Sequence, residues 1–395
     1  MTSLNTELNQ RLDELREQNL FRELRRVDSA QGPRLEMGGK TFLNFSSNDY
    51  LGFASHPTLK YAALKATETF GAGTGASRLI CGSLAPFHEL EAALAAFKQT
   101  EASLVFSTGY AAALGTICAL VGKDDILILD KLVHACIVDA ARLSGAKIRV
   151  FDHNDLNDLE DKLKWAAGKS RSQNPKHQTL IVTESIFSMD GDRARLREIA
   201  VLKEKYGAWL MLDEAHATGI VGHQGRGLAD ELGVGPQIEI HMGTLGKAMG
   251  ASGGYICGSR VLIDFLINRA RSFIFSTAPV PAAAAAAAAG IQMARSEEGD
   301  QRRMNLFKRV EELRSQFKVM NATSDSAIVP LILGSEKLAA DTAAQLREQG
   351  IFVPAIRYPT VARNAARLRI TLTAKHSAAD VAHLISALKT SGVEL

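Results

Sequence analysis

The sequence predicts an α/β fold with a mostly parallel central sheet and a smaller C-terminal α+β domain. Short apolar runs alternate with longer helical patterns from residue 102 onward, and a second group of strands recurs among helices after residue 327. Such alternation is typical of a parallel sheet covered by helices. The length of 395 residues exceeds what one hydrophobic core usually supports, so we expect two unequal domains.

The first predicted element is an amphipathic helix over residues 4–26. Leu4, Leu8, Leu12 and Leu15 recur at helical spacing among arginines and glutamates, so we expect this helix to pack across another surface. The strands of the large domain are predicted from seven apolar runs, which span residues 102–106, 126–129, 148–151, 179–183, 209–212, 238–242 and 254–257.

A helix over residues 281–295 marks the predicted domain boundary. It contains eight consecutive alanines, which are strong helix formers, and begins with a proline. Beyond it, strands are predicted at residues 327–333, 351–356 and 368–372. We therefore predict an N-terminal segment over residues 1–50, a large α/β domain over 51–285 and a small α+β domain over 286–395.

Composition excludes several classes of protein. Lys plus Arg is 46 and Asp plus Glu is 43, and the resulting net charge of +3 argues against a nucleic-acid partner. We find no export signal and no apolar run of the ~18 residues needed to span a membrane. The cysteines lie far apart and form no metal or redox pair, so we expect a cytoplasmic protein without a membrane segment.

Two short motifs carry the predicted chemistry. Asp213 opens Asp-Glu-Ala-His after the apolar run 208–212, and Lys247 closes Thr-Leu-Gly-Lys after the run 238–242. Pyridoxal phosphate (PLP) needs a lysine amine for its aldehyde and a carboxylate that keeps its ring nitrogen protonated. Because ligands collect at the strand ends of open α/β sheets, these motifs together predict a PLP site.

Two other interpretations use the same residues. Asp-Glu-Ala-His is also a motif of some helicases, and Gly-Lys suggests a phosphate-binding loop. That loop requires a glycine where His241 stands and a hydroxyl residue where Ala248 stands, so the nucleotide interpretation fails. Taken singly, each motif could also be an ordinary surface lysine or an acidic strand end.

Further candidates surround these motifs. Gly109 and Tyr110 follow a predicted strand and open a helix over 111–121, whose free backbone N–H groups could hold a phosphate. A plain strand-to-helix turn is the alternative there. Ser188 and Thr244 could donate hydroxyl hydrogen bonds or merely cap helices. His134 could stack on a flat cofactor, although a structural histidine is the simpler interpretation.

Two other features have weaker patterns. His216 could reach the phenolic oxygen of the cofactor. A metal site is not expected, because Asp213, His216 and His223 lack the spacing of a zinc site.

The glycines of residues 71–75 occupy every second position and do not follow the dinucleotide-binding pattern. We interpret this loop as lining an active site, in this subunit or a partner.

The chain resembles the α-oxoamine synthases, which are fold-type I PLP-dependent transferases with an aspartate aminotransferase-like fold. The matching motifs are residues 44–52, 183–192, 213–219 and 244–247. Residues 355–361 and 367–373 are most similar to the biotin-pathway member of the family. One departure is Ala362-Arg363-Asn364, where the family usually carries a glycine.

The resemblance implies a role for each candidate residue. Lys247 would bind the cofactor aldehyde and act as the base, Asp213 would face the ring nitrogen, and His134 would stack on the ring and also contact the substrate. The implied cofactor-binding residues are Gly109, Tyr110, His134, Glu184, Ser188, Asp213, His216, Thr244, Lys247, Ser276 and Thr277, the last two acting from a second subunit. The implied substrate-binding residues are Arg22, Asn48, His134, Thr360 and Arg369.

The resemblance also implies a reaction and partners. L-alanine would condense with pimeloyl-CoA or a pimeloyl carrier protein and lose CO2, in a homodimer with shared active sites. Alternatives are a sibling synthase that uses glycine with an acetyl or succinyl donor, a PLP aminotransferase, or a non-catalytic protein of the same fold.

Overall fold

The computed structural model describes residues 3–172, 177–317 and 326–393. It divides into two compact units. The large unit comprises Leu51–Ser188 and Asp192–Arg303, and the small unit comprises Met1–Tyr50, Met189–Gly191 and Met304–Leu395.

The helices and strands are numbered in chain order. The helices are α1 (Leu4–Glu17), α2 (Pro57–Phe70), α3 (Ala85–Lys98), α4 (Gly109–Leu120), α5 (Ala135–Ser144), α6 (Leu156–Ser172), α7 (Leu196–Tyr206), α8 (Leu228–Glu231), α9 (Arg260–Arg269), α10 (Arg271–Ile274), α11 (Pro281–Ala294), α12 (Glu297–Arg314), α13 (Glu336–Glu348) and α14 (Ala378–Thr390). The strands are β1 (Arg34–Met37), β2 (Lys40–Asn44), β3 (Ala102–Phe106), β4 (Ile126–Asp130), β5 (Lys147–Phe151), β6 (Thr179–Glu184), β7 (Trp209–Asp213), β8 (Ile240–Thr244), β9 (Gly254–Gly258), β10 (Ile328–Gly334), β11 (Ile351–Phe352), β12 (Ala355–Ile356) and β13 (Ala366–Thr371).

The large unit is built on a seven-stranded sheet in the order β3-β9-β8-β7-β6-β4-β5. Strands β8, β7, β6, β4 and β5 run parallel, and β9 is antiparallel to both of its neighbours. The predicted fold class is therefore confirmed, and each of the seven apolar runs forms a strand. Strand β8 begins two residues later than predicted because a 3₁₀ turn over Gly235–Gln237 precedes it.

Burial explains why these strands have no alternating pattern. Every residue of β3, β4 and β9 is buried, as expected where helices cover both faces of a sheet. The edge strand β5 is exposed or half-buried at four of its five residues. Parallel strands also bring their carboxyl ends to one edge of the sheet, where the chemistry predicted from the sequence lies.

The small unit contains two three-stranded sheets, β1-β2-β11 and β10-β13-β12. The single strand predicted over residues 351–356 is wrong. Its first half, β11, pairs with β2, whereas its second half, β12, pairs with β13. Pro354 separates the halves, and proline cannot donate a backbone hydrogen bond to continue a ladder.

The first helix is shorter than the predicted span of residues 4–26. Helix α1 ends at Glu17, and Asn19 takes a left-handed conformation with φ 56° that a helix cannot continue. Its apolar stripe is not buried, since Leu4 is 73% exposed and Leu8 43% exposed. Among the described residues, the predicted packing of this helix across another surface is therefore not observed.

The compact units also differ from the domain boundaries predicted from the sequence. Helix α11, where we placed the boundary, packs on α2 and α3 inside the large unit. Its buried alanines allow this close packing, so the unit continues to Arg303 instead of ending at residue 285. Residues 1–50 belong to the same unit as the C-terminal segment instead of forming a separate one.

Two features are absent from residues 3–172, 177–317 and 326–393. No helix in this part of the chain is both long and apolar enough to cross a bilayer. Within the same ranges, no group of three or more histidine, cysteine and carboxylate side chains has the arrangement of a metal site.

Candidate active site

Two carboxylates lie side by side at the ends of adjacent parallel strands. Glu184 ends β6, Asp213 ends β7, and the strand register places these residues directly opposite each other. Both are buried, with Asp213 5% exposed and Glu184 2% exposed. The sheet therefore concentrates negative charge at one edge.

Burial works against that charge. It raises the pKa of Asp213, while the Lys247 ammonium and an N–H donated by Ala215 to Oδ1 at 2.9 Å oppose the rise. Burial and the neighbouring Asp213 raise the pKa of Glu184 well above its usual value. Glu184 Oε2 accepts the backbone N–H of Ser188 at 3.2 Å, whereas Glu184 Oε1 is buried without a hydrogen-bond partner among the described residues. This pair would be stabilised by a further cationic donor.

Lys247 supplies an amine at the same edge of the sheet. It lies in the turn that follows β8, and its Nζ is 2.8 Å from Nε2 of His216. His216 is buried in the turn that follows Asp213. The sequence predicted that His216 would reach a cofactor oxygen; in the structure its ring contacts the lysine amine. A proton can therefore pass between these two nitrogen atoms.

His134 forms one wall of the site. It caps α5, and its Nδ1 accepts the backbone N–H of Cys136 at 3.2 Å, with the Cys136 Sγ at 3.0 Å. Desolvation lowers the pKa of His134, although the residue as a whole is exposed, and the Asp213 charge partly opposes this shift. The ring is thus held neutral and in a set orientation, which suits stacking on a flat cofactor. The sequence analysis did not identify Cys136 as a contact of the His134 ring. The available signal was its position, two residues after His134.

A backbone cradle lies at the start of α4. Thr108 caps this helix by accepting the Ala111 N–H at 3.0 Å, and Gly109 is its first residue. A Cβ built at Gly109 would lie 3.6 Å from the Cβ of Thr244, and one built at Gly254 would lie 2.5 Å from Gly109 N. The two backbones can approach this closely because residue 254 is glycine, whereas a Cβ at Gly109 would make only ordinary contacts.

Neighbouring hydroxyl groups border that cradle. Thr244 Oγ1 donates to the Gly253 carbonyl at 3.0 Å and accepts the Gly246 N–H at 3.2 Å. Tyr110 is 45% exposed, and its hydroxyl lies 2.5 Å from Asp139 Oδ2. N–H groups at a helix start next to hydroxyl groups are typical of a phosphate site.

The glycine-rich loop packs on the segment that contains Ser276 and Thr277. Ser77 and Thr277 form an antiparallel bridge, and the Thr74 hydroxyl donates to the Ala278 carbonyl at 2.9 Å. The side chain of Ser276 donates locally to the Thr277 carbonyl at 3.2 Å. The action of these residues on a second subunit stays a prediction.

Four of the five predicted substrate-binding residues form two clusters within the small unit, whereas the fifth, His134, lies in the large unit. Arg369 is buried in β13, and its guanidinium donates to Asn48 Oδ1 at 3.1 Å and to Thr371 Oγ1 at 2.9 Å. Separately, Arg22 donates to the Thr360 hydroxyl at 3.3 Å, and both residues are exposed. Each cluster therefore presents a guanidinium, the group best suited to grip a carboxylate.

The arrangement in the large unit fits PLP. Glu184 Oε1, which has no hydrogen-bond partner among the described residues, and the neighbouring Asp213 could bind a cationic ring nitrogen. The backbone cradle at Gly109 could bind a phosphate group. Lys247 offers the amine that an aldehyde requires, and His134 offers a flat face. The sequence placed these residues individually, and the sheet brings them to one edge.

Comparison with known proteins agrees with this chemistry. The family model for aminotransferase class I and II matches residues 40–388. A similar relative is the 8-amino-7-oxononanoate synthase of Geotalea daltonii, which is 44% identical over 389 residues and 97% of each chain.

Solved structures show the same similarity. A serine palmitoyltransferase from S. paucimobilis with bound PLP has a TM-score of 0.91 at 29% identity, over 99% of this chain and 98% of that one. An 8-amino-7-oxononanoate synthase from Francisella tularensis has a TM-score of 0.74 at 26% identity, over 89% and 98%. The chain therefore belongs to the PLP-dependent aminotransferase class I and II family and, within it, to the 8-amino-7-oxononanoate synthases.

Proposed function

We propose that this chain joins L-alanine to a pimeloyl thioester, carried by coenzyme A or by a carrier protein. A new bond forms between the alanine Cα and the acyl carbon, the thiol leaves, and the alanine carboxylate departs as CO2. The product is 8-amino-7-oxononanoate. The observation that supports this most directly is the Lys247 amine, 2.8 Å from the His216 ring, beside the buried pair of Asp213 and Glu184.

Asp213 and Glu184 set the electrostatics of the site. When bound, PLP supplies an aldehyde for the amino group of the substrate and a ring that withdraws electrons from Cα. Asp213 would face the nitrogen of that ring, and its buried carboxylate would favour the protonated nitrogen over the neutral one. Glu184 places a second carboxyl group at the same strand end, and burial together with Asp213 raises the pKa of that group.

Lys247 is the residue that moves protons. The Cα proton of an amino acid is weakly acidic, so its removal requires a base that lies close and is not already protonated. His216 Nε2 lies within hydrogen-bonding distance of the lysine amine and can take up or return its proton. After CO2 has left, the same amine can return a proton to Cα.

The guanidinium groups of the small unit would bind the anionic ends of the substrates. Arg369 is the candidate for the alanine carboxylate, because its side chain is already oriented by Asn48 and Thr371. Arg22, which is exposed, is the candidate for the far carboxylate of the pimeloyl chain.

We infer further that the protein works as a homodimer in the cytoplasm. The exposed apolar stripe of α1 and the packed segments 74–77 and 276–278 offer surfaces for a second subunit. All four cysteines are free, which suits a reducing compartment. Light scattering on dilute protein checks the first inference, and a fully active monomer would contradict it.

Substrate competition tests the proposed reaction. L-alanine, glycine and L-serine are each offered with pimeloyl, acetyl, succinyl and palmitoyl thioesters, and both CO2 and amino ketone are measured. We expect L-alanine with the pimeloyl donor to give the highest kcat/KM. Arg369→Lys keeps the charge but loses the two-pronged grip, so the KM for L-alanine should rise.

A second candidate is supported by the structural neighbours. The serine palmitoyltransferase of S. paucimobilis has a higher TM-score, 0.91, than the Francisella synthase, 0.74. A preference for L-serine with a palmitoyl donor in the same assay would favour this alternative. Formation of a keto acid without use of a thioester would indicate an aminotransferase.

A further inference from the structure

One histidine outside the proposed catalytic set lies between two carboxylates. His153 follows β5, with its Nδ1 2.9 Å from Asp130 Oδ1 and its Nε2 2.7 Å from Asp192 Oδ2. Asp130 ends β4 and has a fully buried side chain, whereas the His153 side chain is 24% exposed. Both ring nitrogens therefore face an acceptor, and both can donate only if the ring is an imidazolium.

The surroundings favour that charged form. Asp130 also accepts the backbone N–H groups of Leu132 at 2.8 Å and Asn154 at 3.1 Å. Burial lowers the pKa of His153, but the hydrogen bonds to Asp130 and Asp192 outweigh this effect and raise it to about 10. The ring is thus a cation that links two anions at neutral pH.

The cluster holds a hairpin formed by residues 185–194. Its two arms are joined by an Ile186–Arg193 bridge and by the Phe187 N–H, which donates to the Asp192 carbonyl at 3.0 Å. The Asn154 side chain donates to Asp192 Oδ2 and to the Arg193 carbonyl, both at 3.1 Å. The second arm of the hairpin is therefore tied to the segment that follows β5.

The first arm of that hairpin reaches the candidate active site. The Ser188 N–H donates to Glu184 Oε2 at 3.2 Å, and the Ser185 N–H donates to the Asp213 carbonyl at 2.8 Å. The ring of Phe187 meets the His153 ring edge to face, with centroids 4.3 Å apart. Displacement of Asp192 would therefore be transmitted through Phe187 to Ser188 and the buried carboxylates.

We propose that His153 is a positioning residue for the cofactor site: it joins Asp192 to Asp130 and so keeps Ser188 on Glu184. The inference rests on the proposed function, because it assumes that Glu184 and Asp213 face the cofactor. Without the imidazolium, two carboxylates would share the space that the ring now separates, and like charges repel. The hairpin would then open more often.

A double-mutant cycle tests this proposal. His153→Gln, Asp192→Asn and the double variant are prepared as holoenzymes alongside the wild type. We expect His153→Gln to raise hydrogen exchange in peptide 185–193 about tenfold and to raise the PLP concentration for half-saturation about tenfold, as for the loss of one charge-assisted hydrogen bond. If His153 acts through Asp192, the double variant should lose no more than His153→Gln alone.

A neighbouring ion pair provides the matched control. Lys131 and Asp152 lie 3.0 Å apart, with side chains 62% and 69% exposed, so Asp152→Asn should leave both measurements unchanged. Unchanged exchange and PLP affinity in His153→Gln would overturn the proposal, as would additive losses in the double variant. If His153→Gln does not fold, Asp192→Asn alone decides the question, with the same expected and contrary results.

The two measurements also separate this inference from the proposed reaction. Hydrogen exchange and PLP affinity need no acyl donor, so they report on His153 whichever substrates the enzyme uses. Failure of the wild type to form 8-amino-7-oxononanoate would contradict the proposed function alone. Normal product formation with no response to His153→Gln would contradict the positioning role alone.

Discussion

Gly254→Ala should damage the phosphate cradle although residue 254 bears no functional side chain. Gly254 lies in β9 between Phe106 of β3 and Thr244 of β8. A Cβ built there would lie 2.5 Å from the Cα and N of Gly109 and from the Thr108 carbonyl oxygen. All three of these atoms belong to the backbone at the start of α4, so no side-chain rotation relieves the contact.

The distances give the size of the effect. Ordinary contacts begin at 3.4 Å, so the start of α4 must move by roughly 1 Å to accept the methyl group. Overpacking of this kind costs about 1–3 kcal/mol of stability. A misplacement of about 1 Å can also lower a catalytic rate up to about 100-fold. We therefore expect weaker PLP binding and slower product formation.

The assay compares Gly254→Ala with Gly122→Ala. Gly122 follows the other end of α4, and a Cβ built there meets nothing within 4 Å among the described residues. PLP retention after gel filtration and the rate of CO2 release are measured for both variants. Wild-type PLP retention by Gly254→Ala would refute the view that the start of α4 forms the phosphate site.

Four further predictions concern charged groups. Lys247→Ala should abolish borohydride-dependent fixation of PLP to the protein, and peptide mapping that finds the label on another lysine would reassign the amine. Asp213→Asn should slow exchange of the alanine Cα proton by orders of magnitude while PLP still binds, and NMR in D2O measures that rate. Lys98→Met leaves Glu214 buried 2.6 Å from the missing ammonium, so the free energy of unfolding in urea should fall by about 3–5 kcal/mol, and adding Glu214→Leu should restore most of it. The folded-state pKa of His153 is raised to about 10, so its contribution to stability should be complete below pH ~6.5 and lost as the pH rises toward 10; a wild-type alkaline profile in His153→Gln would contradict this.

Local sequence determined the large-unit sheet. All seven of its strands coincide with apolar runs because strands covered by helices on both faces need apolar side chains at nearly every position. Elements that depend on distant partners were predicted less well. Residues 351–356 divide between two sheets, since β2 and β13, far apart in sequence, each pair with one half.

The helix over residues 4–26 was overestimated for a different reason. The residues that follow Glu17 within the predicted span include no proline or glycine that would end the helix. The helix ends because Asn19 takes a left-handed conformation, which asparagine permits but does not require. Asn19 was the available signal, because asparagine, after glycine, is the residue that ends helices in this conformation. The compact units also have other bounds than the boundary predicted after residue 285, because helix propensity does not reveal which unit α11 packs against.

The residue types needed for the chemistry, and their places at strand ends, follow from the local sequence. Which of these residues meet depends on how the whole chain folds. Adjacent residues of an extended chain point to opposite faces, so Asp213 lies beside Glu184 of β6, whereas Glu214 forms an ion pair with Lys98, 116 residues away. His153 likewise contacts two residues that are distant in sequence, Asp130 and Asp192. The register of β4 and β5 brings the ends of these strands together at the base of the hairpin formed by residues 185–194. Composition and motif spacing can identify these ionisable residues, but the pairing of strands that are distant in sequence sets the distances between their side chains.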